Sequence, residues 1–169
     1  MNKSMPEDIQ ILPIAEEHIE GFHRCLDIVA RERLYLAAVQ APPLDSTRAF
    51  VQANIARHVP QFVAVTNNDV VGWCDISPFK YEGLKHCGEL GMGVHPDYRG
   101  LGIGERLINR CIQAAREIGL ERIELEVFAS NLPAIKLYEK IGFSVEGVKK
   151  KAHKIDGKYD DIIEMALFV

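Results

Sequence analysis

At 169 residues the chain fits one domain, long enough to bury roughly two thirds of the surface its unfolded form exposes. Its formal net charge of −4 argues against general nucleic-acid binding, and no apolar run approaches the ~20 residues that span a bilayer. Met1 to Asp8 lack the apolar core of a secretory signal, so a cytoplasmic protein with no membrane partner is expected.

Cys25, Cys74, Cys87 and Cys111 are scattered, with no Cys-x-x-Cys pair, and the six histidines are equally dispersed. Free buried thiols are expected, and no metal site. Asp8 to Ile14 alternate apolar and polar residues, a short first strand. From Glu16 the period changes: Ile19, Phe22, Leu26, Val29 and Leu34 recur at helical steps behind an acidic start. Pro42-Pro43 breaks that helix, and Asp45 or Ser46 is placed to cap another, with Phe50, Ile55 and Val59 as its apolar side.

Phe62–Val65 and Val70–Ile76 read as a hairpin about the turn Asn67-Asn68-Asp69. A loop over 77–85 leads to a strand over 86–95, where Gly88, Gly91 and Gly93 suggest a bulge or the close approach of a ligand. Leu107, Ile108, Cys111, Ile112, Ala115 and Ile118 form one face of a helix ended by Gly119. A strand over 122–128, a helix over 132–140 behind Asn131, and strands over 143–148 and 159–169 complete the chain. The order β-α-α-β-β-β-α-β-α-β-β, with several hairpin links, predicts an α+β domain over 1–169: a mixed, mostly antiparallel central sheet flanked by helices.

Where that strand gives way to the next helix stands Val94-His-Pro-Asp-Tyr-Arg-Gly-Leu-Gly-Ile-Gly104. A glycine turn running into a helix start exposes backbone N–H groups where the helix dipole is positive, a site suited to phosphate. No Lys-Ser/Thr follows, so this is not a nucleoside-triphosphate loop, and the glycine spacing is not that of the dinucleotide fingerprint.

Arg99, Gly102 and Gly104 match Arg-x-x-Gly-x-Gly, and Asn131, Ala134, Tyr138, Gly142 and Phe143 match a second motif downstream. On these residues the chain resembles the GCN5-related N-acetyltransferase (GNAT) superfamily, an acyl-CoA N-acyltransferase fold. The tail from Glu146 to Leu167 is similar to the branch of ribosomal-protein, L-amino-acid and polyamine N-acetyltransferases.

The resemblance implies acetyl-CoA as cosubstrate, no metal, and a primary amine as acceptor, a small molecule such as an amino acid. It implies that Arg99, Gly100, Leu101, Gly102, Ile103 and Gly104 receive the pyrophosphate through backbone N–H groups. Met92, Gly93 and Val94 would meet the pantetheine arm, with Gly93 permitting close approach, and Asn131 would contact the arm while equally suiting a helix cap. Tyr138 is the expected acid for the departing thiolate, although its ring also suits core packing. For the general base, Glu89 comes first and Glu126 second; surface glutamates explain either alone. Tyr35, Leu36, Phe79 and Tyr81 border the expected acceptor cleft, and a homodimer is implied by the family only. Two rival readings share the loop: a protein N-terminal or lysine acetyltransferase, and a catalytically silent CoA-binding regulator. The run Lys149–Lys154 reads as a solvated strand face.

Overall fold

The computed structural model describes residues 8–169, so the reading of Met1 to Glu7 lies outside the described residues. Seven strands form one sheet: β1 (Gln10–Pro13), β2 (Gln61–Thr66), β3 (Asp69–Pro78), β4 (Cys87–Val94), β5 (Arg122–Phe128), β6 (Ser144–Ile155) and β7 (Lys158–Phe168). Four helices flank it: α1 (Ile19–Arg31), α2 (Leu44–Ala56), α3 (Ile103–Glu117) and α4 (Leu132–Ile141). The sheet order is β1-β2-β3-β4-β5-β7-β6. Every neighbouring pair is antiparallel except β4 and β5, which are parallel. The expected element order and the mixed, mostly antiparallel sheet are both observed.

Local chemistry explains the elements. Asn67 and Asn68 both take positive φ, the left-handed conformation that lets a two-residue turn follow the twist of a hairpin. Ile123, Leu125 and Val127 are buried on one face of β5, as its alternation requires. Two cores result. One packs α3 and α4 on the sheet through Leu107, Ile108, Cys111, Ile123 and Met165, and the other packs α1 and α2 on the opposite face through Ile19, Phe22, Val29, Val51 and Trp73.

Three local expectations change. Helix α1 ends at Arg31, leaving Leu34 exposed beyond it. Helix α2 begins after Pro43 with no side-chain cap, and it buries Thr47, Val51 and Asn54 while Phe50 and Ile55 face outward. The amide of Asn54 donates to Gln61 Oε1 at 2.9 Å, so a polar residue is accommodated in a place that periodicity assigned to apolar ones. Strand β6 runs to Ile155, seven residues beyond the expected end at Val148. Its lysines stand on an edge strand, where charge discourages pairing with another sheet, and Lys149 and Lys150 pair with Glu126 and Asp161.

The feature that makes a site is a fork. β4 and β5 are in register only from Cys87–Arg122 to Glu89–Glu124, and beyond Glu89 they part while β4 stays paired with β3 up to Val94. On the α1 side of β4, Gly93 lies opposite Trp73, and a Cβ at Gly93 would overlap the indole ring. Gly93 is therefore required by a packed side chain of its own sheet. Gly93→Ala is expected to destabilise the fold by about 1–3 kcal/mol through overpacking, seen as a lower urea midpoint with an unchanged m-value. An unchanged midpoint would mean that the indole has another place to go.

Candidate active site

A cleft of about 450 Å³ opens in the fork. One wall is the freed edge of β4 from Leu90 to Val94, another is the glycine turn with the start of α3, and a third comes from Asn131 and α4. Of the cofactor-binding expectations, Met92, Gly93, Val94, Arg99, Gly100, Gly102, Ile103, Gly104 and Asn131 all line it. Leu101 does not, and packs against the α3–α4 core.

The turn is built for its task. Gly100 and Gly102 both have φ of 76°, which L side chains rarely adopt, and Gly102 is the N-cap of α3. The first intrahelical bond there runs from Arg106 N to Gly102 O, so the N–H groups of Ile103, Gly104 and Glu105 precede it and point toward the cleft end of the helix. The absent side chain at Gly104 lets α3 approach Leu137 of α4 and Met92 of β4, where a Cβ would sit 3.2 Å from each. This cradle fits a pyrophosphate through neutral donors and the helix dipole.

Arg99 has a different task from the glycines beside it. Its guanidinium grips Glu32 with two bonds of 2.8 and 2.5 Å, its Nε donates to Val94 O at 2.9 Å, and it lies over the Tyr35 ring at 4.8 Å. The side chain thus ties the turn to the segment after α1 and is engaged before any anion arrives. Tyr35 and Leu36 line the cleft as expected, whereas Phe79 and Tyr81 do not.

Tyr138 lines the cleft from α4, buried against Phe143 with ring centroids 5.8 Å apart. Burial pushes its phenol well above the usual value near 10, so the hydroxyl keeps its proton and can act as a donor. Asn131 accepts from Ala134 N at 3.4 Å as a helix cap, leaving its amide nitrogen free to donate elsewhere.

The carboxylates divide differently from the expected order. Glu126 lines the main cleft and is ion-paired with Lys149. Glu89 lies outside it, in an adjoining hollow of about 130 Å³ with Arg122, Glu124, Glu146 and Glu164. The fork is the reason: β4 is still paired with β5 at Glu89 and frees its edge only afterwards.

All four thiols are buried and none is in a disulfide. Burial raises the Cys25 thiol to about 12 and the Cys74 thiol well above its usual range, so neither supplies a thiolate nucleophile near neutral pH. Among the described residues no group of three or more His, Cys, Asp or Glu could hold a metal ion, and no helix is long and apolar enough to cross a membrane.

Sequence reasoning passed over Asp75, the one charged residue within the apolar run of β3. Its neighbour in register is Gly91, and Ser77 Oγ donates to its Oδ2 at 3.3 Å. A charged residue inside Val70–Ile76 was the available signal.

Residues 23–143 match the family model described as the acetyltransferase (GNAT) family. The chain belongs to that family and is an acyltransferase. It is 35% identical over 109 residues to the L-amino acid N-acetyltransferase AaaT of Escherichia coli (strain K12), a match covering 64% of this chain and 67% of that protein. The L-amino acid N-acyltransferase MnaT of the same strain is 28% identical over 138 residues, 79% of this chain and 80% of the other. In shape the chain matches the phosphinothricin acetyltransferase Pat from Sinorhizobium meliloti in complex with AcCoA, with a TM-score of 0.89 and 16% identity, covering 96% of this chain and 89% of that one. At that identity the likeness concerns the fold.

Asp75 yields a stability prediction. Burial first, and then the charge of Glu89, push its carboxyl up to about 7, against the pull of the Ser77 hydrogen bond. A raised carboxyl pKa stabilises the folded state below the unfolded value of ~3.9, and that contribution is lost as pH rises through 7. The loss is at most about 4 kcal/mol, reduced by water reaching the part-exposed side. Asp75→Asn should therefore gain melting temperature relative to the wild type between pH 4 and pH 8. A difference that stays flat across that range would show that the buried charge is not felt.

Proposed function

We propose that the chain is an acetyl-CoA-dependent N-acetyltransferase that acetylates a primary amine, a small molecule such as an amino acid, by direct attack in a ternary complex. The observation that carries the reading is the convergence of the β4 edge, the glycine turn, Asn131 and Tyr138 on one cleft. The matched family and the amino-acid acetyltransferases related to the chain support it.

Acetyl-CoA supplies an acetyl group activated as a thioester, with a thiolate to leave. The turn from Gly100 to Gly104 holds the pyrophosphate by backbone N–H groups. Arg99 acts there through its backbone, since its side chain keeps the turn fixed to Glu32. The parted edge of β4 at Met92, Gly93 and Val94, with Asn131 across the cleft, aligns the amide-bearing arm.

Tyr138 donates its Oη hydrogen toward the sulfur. With an ordinary phenol, full transfer to a thiolate is uphill by roughly 2 kcal/mol, and the raised value at Tyr138 makes it more so. The hydroxyl therefore works chiefly as a hydrogen-bond donor that steadies developing negative charge. On the acceptor side, a lysine-type amine is only about one part in several thousand neutral at pH 7, so a base is needed. Glu126 stands on the cleft and is one candidate base; Glu89, in the adjoining hollow, is the other and would need a water to act. Four buried thiols disfavour an acetyl-cysteine route, and their reduced state suits a cytoplasmic enzyme.

A turnover screen with acetyl-CoA over amino acids, polyamines, aminoglycosides and N-terminal peptides tests the reading. Intersecting double-reciprocal plots are expected for direct transfer, and parallel plots would contradict it. Tight CoA binding with no turnover would identify a silent binder. Tyr138→Phe should lower kcat by about 10²-fold, the usual scale for a lost transition-state donor, with little change in the KM for acetyl-CoA. Full kcat across the pH range would remove Tyr138 from the mechanism.

A further inference from the structure

The side chains of β3 and β4 that face α1 come in register pairs: Trp73 with Gly93, Asp75 with Gly91, and Ser77 with Glu89. The first pair is closed by the indole, which packs edge-on against Phe22 with centroids 5.6 Å apart. The last carries a full side chain on each strand. Between them the row is interrupted. Gly91 is exposed and lines the cleft, and a Cβ built on it would meet only Asp75 Oδ1 and Oδ2, at 3.7 and 4.0 Å. Gly91 thus leaves a notch at the freed edge of β4 with the Asp75 carboxylate beside it, although Asp75 is not itself among the residues that line the cleft.

That carboxylate is poorly provided for. It is half-buried, Ser77 gives it one long hydrogen bond to Oδ2, and Glu89 adds a like charge. Among the described residues no lysine, arginine or histidine forms an ion pair with it. A half-buried carboxylate with one long hydrogen bond and no cation beside it keeps unused acceptor capacity toward a ligand. Cations at the cleft walls are already committed, Arg99 to Glu32, Lys140 to Glu105, and Lys149 to Glu126 and Glu164.

We infer that Asp75 binds the ammonium group of the amine acceptor in the notch left by Gly91. The inference rests on the acetyl-transfer reading and adds the acceptor's charge state to it. Tyr138 and the helix α3 turn serve the cleft from the α3–α4 side of the sheet, while the notch opens on the α1 side, so donor and acceptor meet across the edge of β4. The acceptors selected are alkylammonium compounds, which arrive as cations and lose a proton to the base, Glu126 or Glu89, before the neutral nitrogen attacks. Aryl amines, neutral at pH 7, gain nothing from Asp75.

The test compares the wild type with Asp75→Asn and Gly91→Ala, using the best acceptor from the turnover screen and benzylamine against 4-aminobenzoate. Asp75→Asn is expected to raise the acceptor KM at least tenfold while leaving the KM for acetyl-CoA within twofold and the melting temperature no lower. Gly91→Ala, whose new methyl group fits at ordinary contact distance but fills the notch, should raise the acceptor KM as well. An unchanged acceptor KM in Asp75→Asn overturns the inference while leaving the acetyl-transfer reading intact. A parallel loss of melting temperature and acetyl-CoA affinity also overturns it, because that is what a structural residue would show. If no amine is acetylated, the reading of function fails, and the inference is then decided by the carboxyl ¹³C resonance of Asp75. That signal should move on adding benzylammonium chloride and stay still with benzyl alcohol, and equal responses would refute the notch as an ammonium site.

Discussion

Two neighbouring strands in the middle of a sheet cannot part without leaving peptide groups unpaired, and β4 parts from β5 after Glu89. Such groups must face water or a partner able to hydrogen-bond, because a buried orphan costs about as much as a lost hydrogen bond. The edge from Leu90 to Val94 therefore defines where a ligand rich in amides can lie. The other walls are placed relative to that edge. Helix α3 starts where β4 ends, so its free N–H groups stand at one end of the gap, and α4 closes the far side with Tyr138. A strand break inside a well-packed fold, not a loop laid on top of it, makes the cleft.

Within the cleft, backbone and side chains have separate duties. The backbone supplies neutral donors at the turn, held open by positive φ at Gly100 and Gly102. Charged side chains mostly hold the walls together: Arg99 to Glu32, Glu105 to Lys140, and Glu126 to Lys149. These pairs are partly exposed and each adds little stability, but each consumes a charge that would otherwise act on a ligand. What remains unneutralised gains weight accordingly. A phenol that stays protonated lies on one side of the β4 edge and an under-partnered carboxyl on the other.

The order of elements was legible because each boundary carries a chemical mark: the Asn67-Asn68 turn, Pro42-Pro43, Gly119 and Gly142. The two glycine-bearing motifs were legible for the same reason, since a turn at a helix start constrains residue type locally. What depends on partners distant in sequence was not. The buried face of α2 is decided by Gln61, which makes room for Asn54, and periodicity alone cannot see that. The choice between Glu89 and Glu126 depends on the residue at which β5 leaves β4, a property of two strands together. Asp75 stood out as a charge in an apolar strand, yet its significance comes from what Gly91 lacks opposite it. Gly93 was assigned to ligand approach, and its register with Trp73 gives it a packing reason as well.

That last pair has a consequence for how this sequence can change over time. With an indole at position 73, every residue larger than glycine at position 93 is obstructed; with a small residue at 73, position 93 is released from that restriction. The two positions are consequently not free to drift separately, and the order of replacement matters: the strand β3 residue has to shrink before the β4 residue can grow. Homologous chains should therefore fall into two groups at these positions, one with a large aromatic at 73 and glycine at 93, the other with a small residue at 73 and a wider choice at 93. Passage between the groups, in either direction, runs through a small residue at 73 with glycine at 93, so a packing contact behind the cleft wall limits which sequences can be reached from this one.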